Sequence, residues 1–564
     1  MPEIESKLST ELNLALNSSF EQRSKSLDLN VGYNAEDNSW ELIIKYIGAL
    51  EKLSEKYNFT YVELLEQFAI IVIRSENILE FINEPEIVFV DKPQKIFDQQ
   101  FLLTGYNESC FNVGIEDKGN TLTGKGILVA VIDSGIDYRH EIFIKDGKTK
   151  IYEIWDQNIA GLPPDGYNIG TIYSADDINN AINSDEYNIN SIDSSGHGTS
   201  VASIITQIAP DADLLIIKLA NYLGENISQT SSLIMAIDYA VKTAIKLTVP
   251  LVINLSFGNN YGDHNSNSII ENYLDSISNI TKLSIIVGSG NEGVSGKHSQ
   301  LMLGNTSWLK SQFIVGEFNT SLNLQIWRNY IDIIDIILVT PDGTEVGPLN
   351  DYQNIMSFNI DDMTISAING FPTPYNQNSE TYISIISNET YIEAGTWEIR
   401  ILPKRISSGR VDIWLPVESG TEAIARFLNP SEFTTLTIPS TAASVVSVGA
   451  YDSKLLSYAS FSGRGYTVDS LIKPDLVAPG VDINVAIPGG GYNVKSGTSF
   501  ATPFVSGAAT LIMEYGIIQG NDPFLFGEKL KSYLIRGAKV LPGINRWPNE
   551  LAGWGALCFE DSLP

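Results

Sequence analysis

At 564 residues with 43% hydrophobic side chains, the chain exceeds what a single core ordinarily organises and predicts roughly three domains. Its formal net charge of −31, from 67 acidic against 36 basic residues, disfavours nucleic acid as a partner, because phosphate binding needs clustered Lys and Arg. The opening Met1-Pro2-Glu3-Ile4-Glu5-Ser6 has neither a basic nor an apolar leader region, so no secretory signal is read, and no stretch approaches the ~18 apolar residues of a membrane span.

Residues 1 to about 40 are polar and helix-prone, with Ser9-Thr10-Glu11-Leu12 a candidate helix cap. From Trp40 the pattern sharpens into an α+β unit with its core at about 40–93. Strands are expected at Trp40–Tyr46, Phe68–Ile73 and Glu86–Val90, and helices at Ala49–Tyr57 and Ser75–Phe81. Lys92-Pro93 ends the last strand, and Gln94 to Gln100 continues as a polar, extended tail able to lie in a cleft.

A second unit, expected over 101–307, drives into Ile127–Ile132, a continuous apolar run suited to a strand buried on both faces of a parallel sheet. Leu214–Ile217, Leu251–Leu255 and Leu283–Val287 are of the same type, and Ser231 to Leu247 has helical apolar spacing. Strands joined by helix-length connections predict a doubly wound α/β fold, whose sites lie at the carboxyl ends of its strands. From Trp308 short strands recur without helices and with turn signals such as Pro341-Asp342-Gly343, which predicts an inserted antiparallel β domain of jelly-roll type over 308–435. The α/β pattern returns over 436–564. The two cysteines, Cys110 and Cys558, are far apart and lack metal-ligand spacing. A reducing compartment is the inference, with one long-range disulfide the alternative.

Ser496-Gly497-Thr498-Ser499-Phe500-Ala501-Thr502-Pro503 puts a hydroxyl, that of Ser499, at the mouth of a small-residue helix. A serine attacks only with a base to take its proton and donors to hold the oxyanion. Of the four histidines only His197 sits among small residues, in Ser195-Gly196-His197-Gly198-Thr199. Taken alone, such a histidine is more often structural; Asp133, closing a buried strand, and Ser499 together reverse that. Asp133 can orient the imidazole, and Asn291, in Gly288-Ser289-Gly290-Asn291-Glu292-Gly293 after another buried strand, offers an amide donor.

These segments resemble the subtilisin-like serine proteases. Ile132-Asp133-Ser134-Gly135 matches the aspartate motif of the family, Gly196-His197-Gly198-Thr199 the histidine motif, and Gly497-Thr498-Ser499-Phe500-Ala501 the serine motif, in the family's order. Phe500 departs from the usual Met and leaves the triad intact. The resemblance implies Asp133, His197 and Ser499 as catalytic residues and Asn291 as the oxyanion-hole side chain. It further implies Leu255, Ser256 and Gly258 as the strand that binds extended substrate, with Ser289 and Gly290 lining the primary specificity pocket.

The N-terminal unit, residues 1–100, is similar to the subtilase propeptide, an inhibitor and folding chaperone, which implies self-cleavage at about Gln99-Gln100. With an insert between the Asn and Ser motifs, the chain resembles the Csp germination proteases of clostridial spores, implying a protein precursor as substrate and a cytoplasmic or spore-associated location. The alternatives are a pseudoprotease-like sensor or scaffold and a general intracellular subtilase. No cofactor is required. Calcium is common in the family, but no loop of EF-hand spacing assigns its ligands.

Overall fold

The computed structural model describes residues 7–26, 28–98, 109–111, 122–184, 189–221, 227–305, 307–350, 355–417 and 425–564. The expected self-cleavage position, Gln99-Gln100, lies outside the described residues. The chain divides into two compact units. One comprises Met1–Lys95, Asn259–Ile269 and Ser295–Glu432; the other comprises Ile96–Gly258, Ile270–Val294 and Phe433–Pro564.

The second unit is built on a nine-stranded sheet whose central strands run in the order Ile151–Asp156, Asp213–Lys218, Leu128–Asp133, Leu251–Leu255, Leu283–Gly288, Val446–Asp452. These neighbours pair in parallel, and every residue of Leu128–Asp133, Leu251–Leu255 and Leu283–Gly288 is buried. Burial on both faces is what the continuous Val/Ile/Leu runs require. Antiparallel strands Thr171–Ser174 and Ser457–Tyr458 flank the parallel core. The register sets Leu255 beside both Ile132 and Val287. Asp133, Ser256 and Gly288 therefore leave the sheet at one edge, the carboxyl end where α/β folds place their sites.

The helices His197–Ile208, Thr230–Leu247 and Thr498–Met513 belong to this unit. Two of them approach closely at Gly507, where a Cβ would lie 2.7 Å from the Ile208 side chain. The stretch Thr498–Ile518 is, by length and composition alone, apolar enough to cross a membrane. Ser, Thr, Gly and Pro interrupt the run, so it is not the continuous block of ~18 apolar residues that the sequence lacks. In the fold, 83% of its most apolar window is buried as a core helix. A correction concerns the cysteines, because Cys110 and Cys558 form a disulfide across a sequence separation of 448 residues. Two lone cysteines carry no signal of proximity in sequence; the docking of Phe111 on Phe559, with stacked rings 5.4 Å apart, brings them together.

In the first unit the strands Ser39–Tyr46, Phe68–Arg74 and Ile87–Asp91 fall where the apolar alternation predicts. A further strand, Thr60–Glu63, pairs with Phe68–Arg74. The hydrophobic cluster does not begin at residue 40. Helix Thr10–Asn17, capped by Ser9, carries Leu12, Leu14 and Ala15 into it together with Leu8 and Leu29, and it also takes in Ile368, Tyr382 and Ile386. Leu8, Leu12, Leu14, Ala15 and Leu29 join this core, part of which comes from residues more than 300 positions away in sequence.

The remainder of this unit is two antiparallel sheets, one of six strands with central strands Ser321–Asn329 and Asn378–Ser387, one of five with central strands Gly395–Arg405 and Leu309–Val315. Leu324 and Ile383 from the first, and Phe313 and Trp397 from the second, share one core. The first sheet begins with His298–Met302, paired to Arg410–Trp414, ahead of residue 308, where the antiparallel strands were expected to begin.

Candidate active site

Asp133 is the last residue of its strand, and His197 is the first of its helix. Nδ1 of His197 lies 2.7 Å from Oδ1 of Asp133, with both side chains fully buried. A carboxylate on Nδ1 fixes the proton there and leaves Nε2 as the basic nitrogen. The approach depends on Gly198, where a Cβ would lie 2.1 Å from the carbonyl oxygen of Gly135 and 3.1 Å from the Asp133 Cβ. The flanking glycine thus lets helix and strand meet closely enough for the pair to form.

Asp193, to which sequence reasoning gave no role, holds this loop together. It accepts from Ser134 Oγ (2.8 Å), Gly196 N (2.9 Å), Thr199 N (2.8 Å) and Thr199 Oγ1 (2.6 Å). Ser134 in turn accepts from Gly198 N at 2.9 Å, and its own N–H donates to Asp133 at 2.8 Å. The sequence signal was present, as Asp-x-x-Gly-His before a helix start has the form of a capping carboxylate.

Ser499 stands in the first turn of Thr498–Met513. Its Oγ donates to the carbonyl of Ser256 at 3.2 Å, while Ser256 Oγ donates to the carbonyl of Ser499 at 3.2 Å. The two residues are tied reciprocally, so Ser256 positions the Ser499 backbone. Asn254 extends the network, donating to Ser256 Oγ (3.2 Å) and accepting from Ser506 on the same helix (2.8 Å). Phe500, which replaces the usual Met, is buried 5.7 Å from the His197 ring and fills that volume as an apolar side chain.

Asn291 Oδ1 accepts from Thr498 N and Thr498 Oγ1, both at 3.1 Å. Those two bonds settle the amide orientation and turn Nδ2 the other way. Nδ2 is buried and has no hydrogen-bond partner. A buried, orphaned N–H donor is rare in a folded protein and costs stability unless something else uses it. Thr498 is a second residue that motif reading passed over.

Leu255 is buried at the end of its strand. The next backbone, Phe257–Gly258, carries an antiparallel partner from the chain itself. Asp98 pairs with Phe257 and Phe97 with Gly258, and Lys95–Asp98 lies between Phe257–Gly258 and Ile227–Gln229 in a three-stranded sheet. The tail that was expected to extend into a cleft forms a strand here. Ser289 and Gly290 lie at the end of Leu283–Gly288, their carbonyls accepting from Thr437 N (3.1 Å) and Gly463 N (2.7 Å).

The other histidines serve packing. His140 Nε2 meets the carbonyl of Gly491 at 2.9 Å, and His264 and His298 stack on Trp414 at 4.3 and 4.7 Å. Among the described residues no group of three His, Cys, Asp or Glu is placed to hold a metal ion.

Comparison with known proteins identifies this arrangement. The model of the subtilase family matches residues 124–394 and 420–555, and the Csp protease B prodomain model matches residues 6–94. The solved CspB protease of Clostridium perfringens is 32% identical, with a TM-score of 0.75 over 81% of this chain and 95% of that one. Among curated proteins, serine protease AprX of Bacillus subtilis is 33% identical over 153 residues, 23% of this chain and 32% of the relative. Subtilisin E of Bacillus subtilis is 36% identical over 113 residues, 20% of this chain and 26% of the relative. The chain thus spans about a third or less of the length of these curated relatives. With the subtilase model matching more than half of its residues, and a Csp protease B prodomain ahead of that match, the chain belongs to the subtilase family.

Proposed function

We propose that this protein is a serine endopeptidase that cuts its own N-terminal segment and then a specific protein precursor. The observation that carries the reading is the buried Asn291 Nδ2, held without a partner by the residue that precedes Ser499. A scaffold that only binds has no use for a desolvated, empty donor at that place; an acyl-transfer site requires one.

In the reaction the Ser499 hydroxyl leaves the Ser256 carbonyl, gives its proton to His197 Nε2 and attacks the scissile carbonyl. Asp133 stabilises the imidazolium. The developing oxyanion takes Asn291 Nδ2 and the Ser499 N–H, which lies in the first helical turn where amides lack intrahelical partners. Collapse returns the proton from His197 to the leaving amine and leaves an acyl-Ser499, which water hydrolyses by the same steps.

Substrate binds as a strand along Leu255, Ser256 and Gly258, with Ser289 and Gly290 shaping the primary pocket. The pairing of Phe97 and Asp98 on Phe257–Gly258 supports this, because it is the same mode of strand addition made by the chain itself. It also supports cleavage shortly after Asp98, about Gln99-Gln100, and a propeptide that blocks the cleft until it is displaced. The two shared-core antiparallel sheets we read as a jelly-roll insert. The resemblance to the Csp germination proteases is what suggests a precursor of the spore-cortex hydrolase class as substrate and a cytoplasmic or spore-associated site of action. No cofactor takes part in these steps; calcium, common in the family, would act on stability.

The test is reaction with a fluorophosphonate after release of the N-terminal segment, located by peptide mass spectrometry. The reading expects one adduct, on Ser499, that disappears in His197→Ala. A folded protein that takes no adduct at Ser499 overturns it.

A further inference from the structure

The first unit holds a cavity of about 70 Å³, room for roughly five water-sized groups. Its walls include the carboxylates of Glu11, Asp91, Asp263 and Glu380 and the rings of Phe89 and Trp327. The four acids are only 6%, 7%, 2% and 5% exposed. Among the described residues no Lys or Arg lines the cavity. Lys92, the nearest cation to Glu11 and Asp91, donates to the carbonyl of Pro93 at 2.9 Å and faces the adjoining smaller cavity, while Lys95 pairs with Asp28 at 3.0 Å.

The partners of the four acids are unequal. Glu11 accepts from Gln325 Nε2 at 2.6 Å. Asp263 accepts from Asn265 N (3.1 Å), Asn267 Nδ2 (2.7 Å) and Asn378 Nδ2 (3.0 Å). Asp91 accepts from Lys92 N at 2.8 Å. Glu380 differs: Thr10 hydrogen-bonds its carboxylate, but its Oε1 is buried and has no hydrogen-bond partner. A buried carboxylate oxygen left unpaired is costly unless it is protonated or meets a cation.

The acids are also too dispersed for a metal, as no three of them are placed around one point. A cation with a larger radius and an apolar portion meets both the spacing and the aromatic wall. We propose that this cavity binds a small primary alkylammonium ion, its charge held by Glu380 and Glu11 and its alkyl part lying against Trp327 and Phe89. The site is separate from the proteolytic one and does not depend on that reading.

Proton linkage follows from the same geometry. Burial, reinforced by Glu11, Asp91 and Asp263, raises Glu380 well above the ordinary carboxylate range. Burial and Asp91 raise Glu11 to about 7, partly opposed by Lys92. Asp28, Lys92, Lys95, Tyr261 and Tyr382 line the adjoining cavity, which shares Glu11. The empty cavity therefore takes up protons near neutrality, and an ammonium ion, which stays charged to about pH 10, displaces them.

The test is titration calorimetry of the full chain with ethylammonium chloride near pH 8, with sodium chloride at matched ionic strength and ethanol as the uncharged analogue. Saturable binding of ethylammonium alone is expected, with proton release detected by changing the buffer. In E380Q the affinity should fall about ten-fold, the loss of one charge-assisted hydrogen bond. Absence of saturable binding overturns the proposal, as does equal binding of sodium or ethanol, or unchanged affinity in folded E380Q. Should E380Q not fold, the wild-type measurement decides alone: binding that tightens from about pH 6 to 8 with proton release supports the site, and pH-independent binding overturns it.

Discussion

In the second unit the buried Asp193 is surrounded by donors from within six residues and from Ser134, and every one belongs to a motif segment of the chain. In the first unit the buried Glu11 relies on Gln325, and Glu380 stands with one oxygen unpaired. The loops around Asp133 and His197 carry their own hydrogen-bond partners in the neighbouring sequence, so their geometry is written locally. The first unit's acids meet only when distant segments fold together, and there burial dominates and drives carboxyl protonation toward neutral pH. Polar burial satisfied by local donors positions chemistry; polar burial left short of donors creates sensitivity to protons and cations.

Four measurements press on that contrast, the first three on its local half. Ser499→Ala removes the proposed nucleophile and should lower the rate of self-processing by about 10⁶, followed on gels over time. Asp133→Asn leaves the shape but sets the wrong tautomer on His197, and a loss of about 10⁴ in kcat is expected on any peptide substrate the freed enzyme accepts. Asn291→Ala should cost about 10²–10³ in kcat with little change in KM, a magnitude carried over from the corresponding side chain in a subtilisin. Equal loss in kcat/KM through KM alone would assign Asn291 to substrate binding.

The smallest effect concerns Glu11. Its folded value of about 7 lies above its ordinary 4.5. The stability it lends is therefore complete below about pH 4.5 and is lost as the pH rises through 7. That linkage amounts to roughly 3 kcal/mol at most. Thermal unfolding should show this part of the protein weakening from about pH 5 to 8, and Glu11→Gln should flatten that slope while leaving the value at about pH 5 nearly unchanged. A slope equal to wild type would remove Glu11 from the account.

The same division explains what could be read before any coordinates. His197 and Ser499 were legible because each sits among small residues at the start of a helix, and Asp133 and Asn291 because each follows a continuous apolar run that fixes both strand and site. The parallel strands followed for the same reason. Thr498 and the tethering role of Ser256, which was expected only to bind substrate, were not legible because a backbone tether can be filled by any small polar residue. The membership of Leu8, Leu12 and Leu29 in a core with Tyr382 and Ile386 has no periodic signature, since those partners, with Ile368, lie more than 300 residues away in sequence. The pairing of Cys110 with Cys558 is equally non-local. Glu11 and Glu380 read as ordinary surface acids, because nothing near them in sequence announces burial.

The central claim is that Ser499, activated by the His197–Asp133 pair, cuts the chain just beyond the strand Lys95–Asp98. Amino-terminal sequencing of purified wild type beside Ser499→Ala tests it most directly. The account predicts a new terminus between residues 99 and 110 in the wild type and none in the variant; the same new terminus, to the same extent, in both would contradict it.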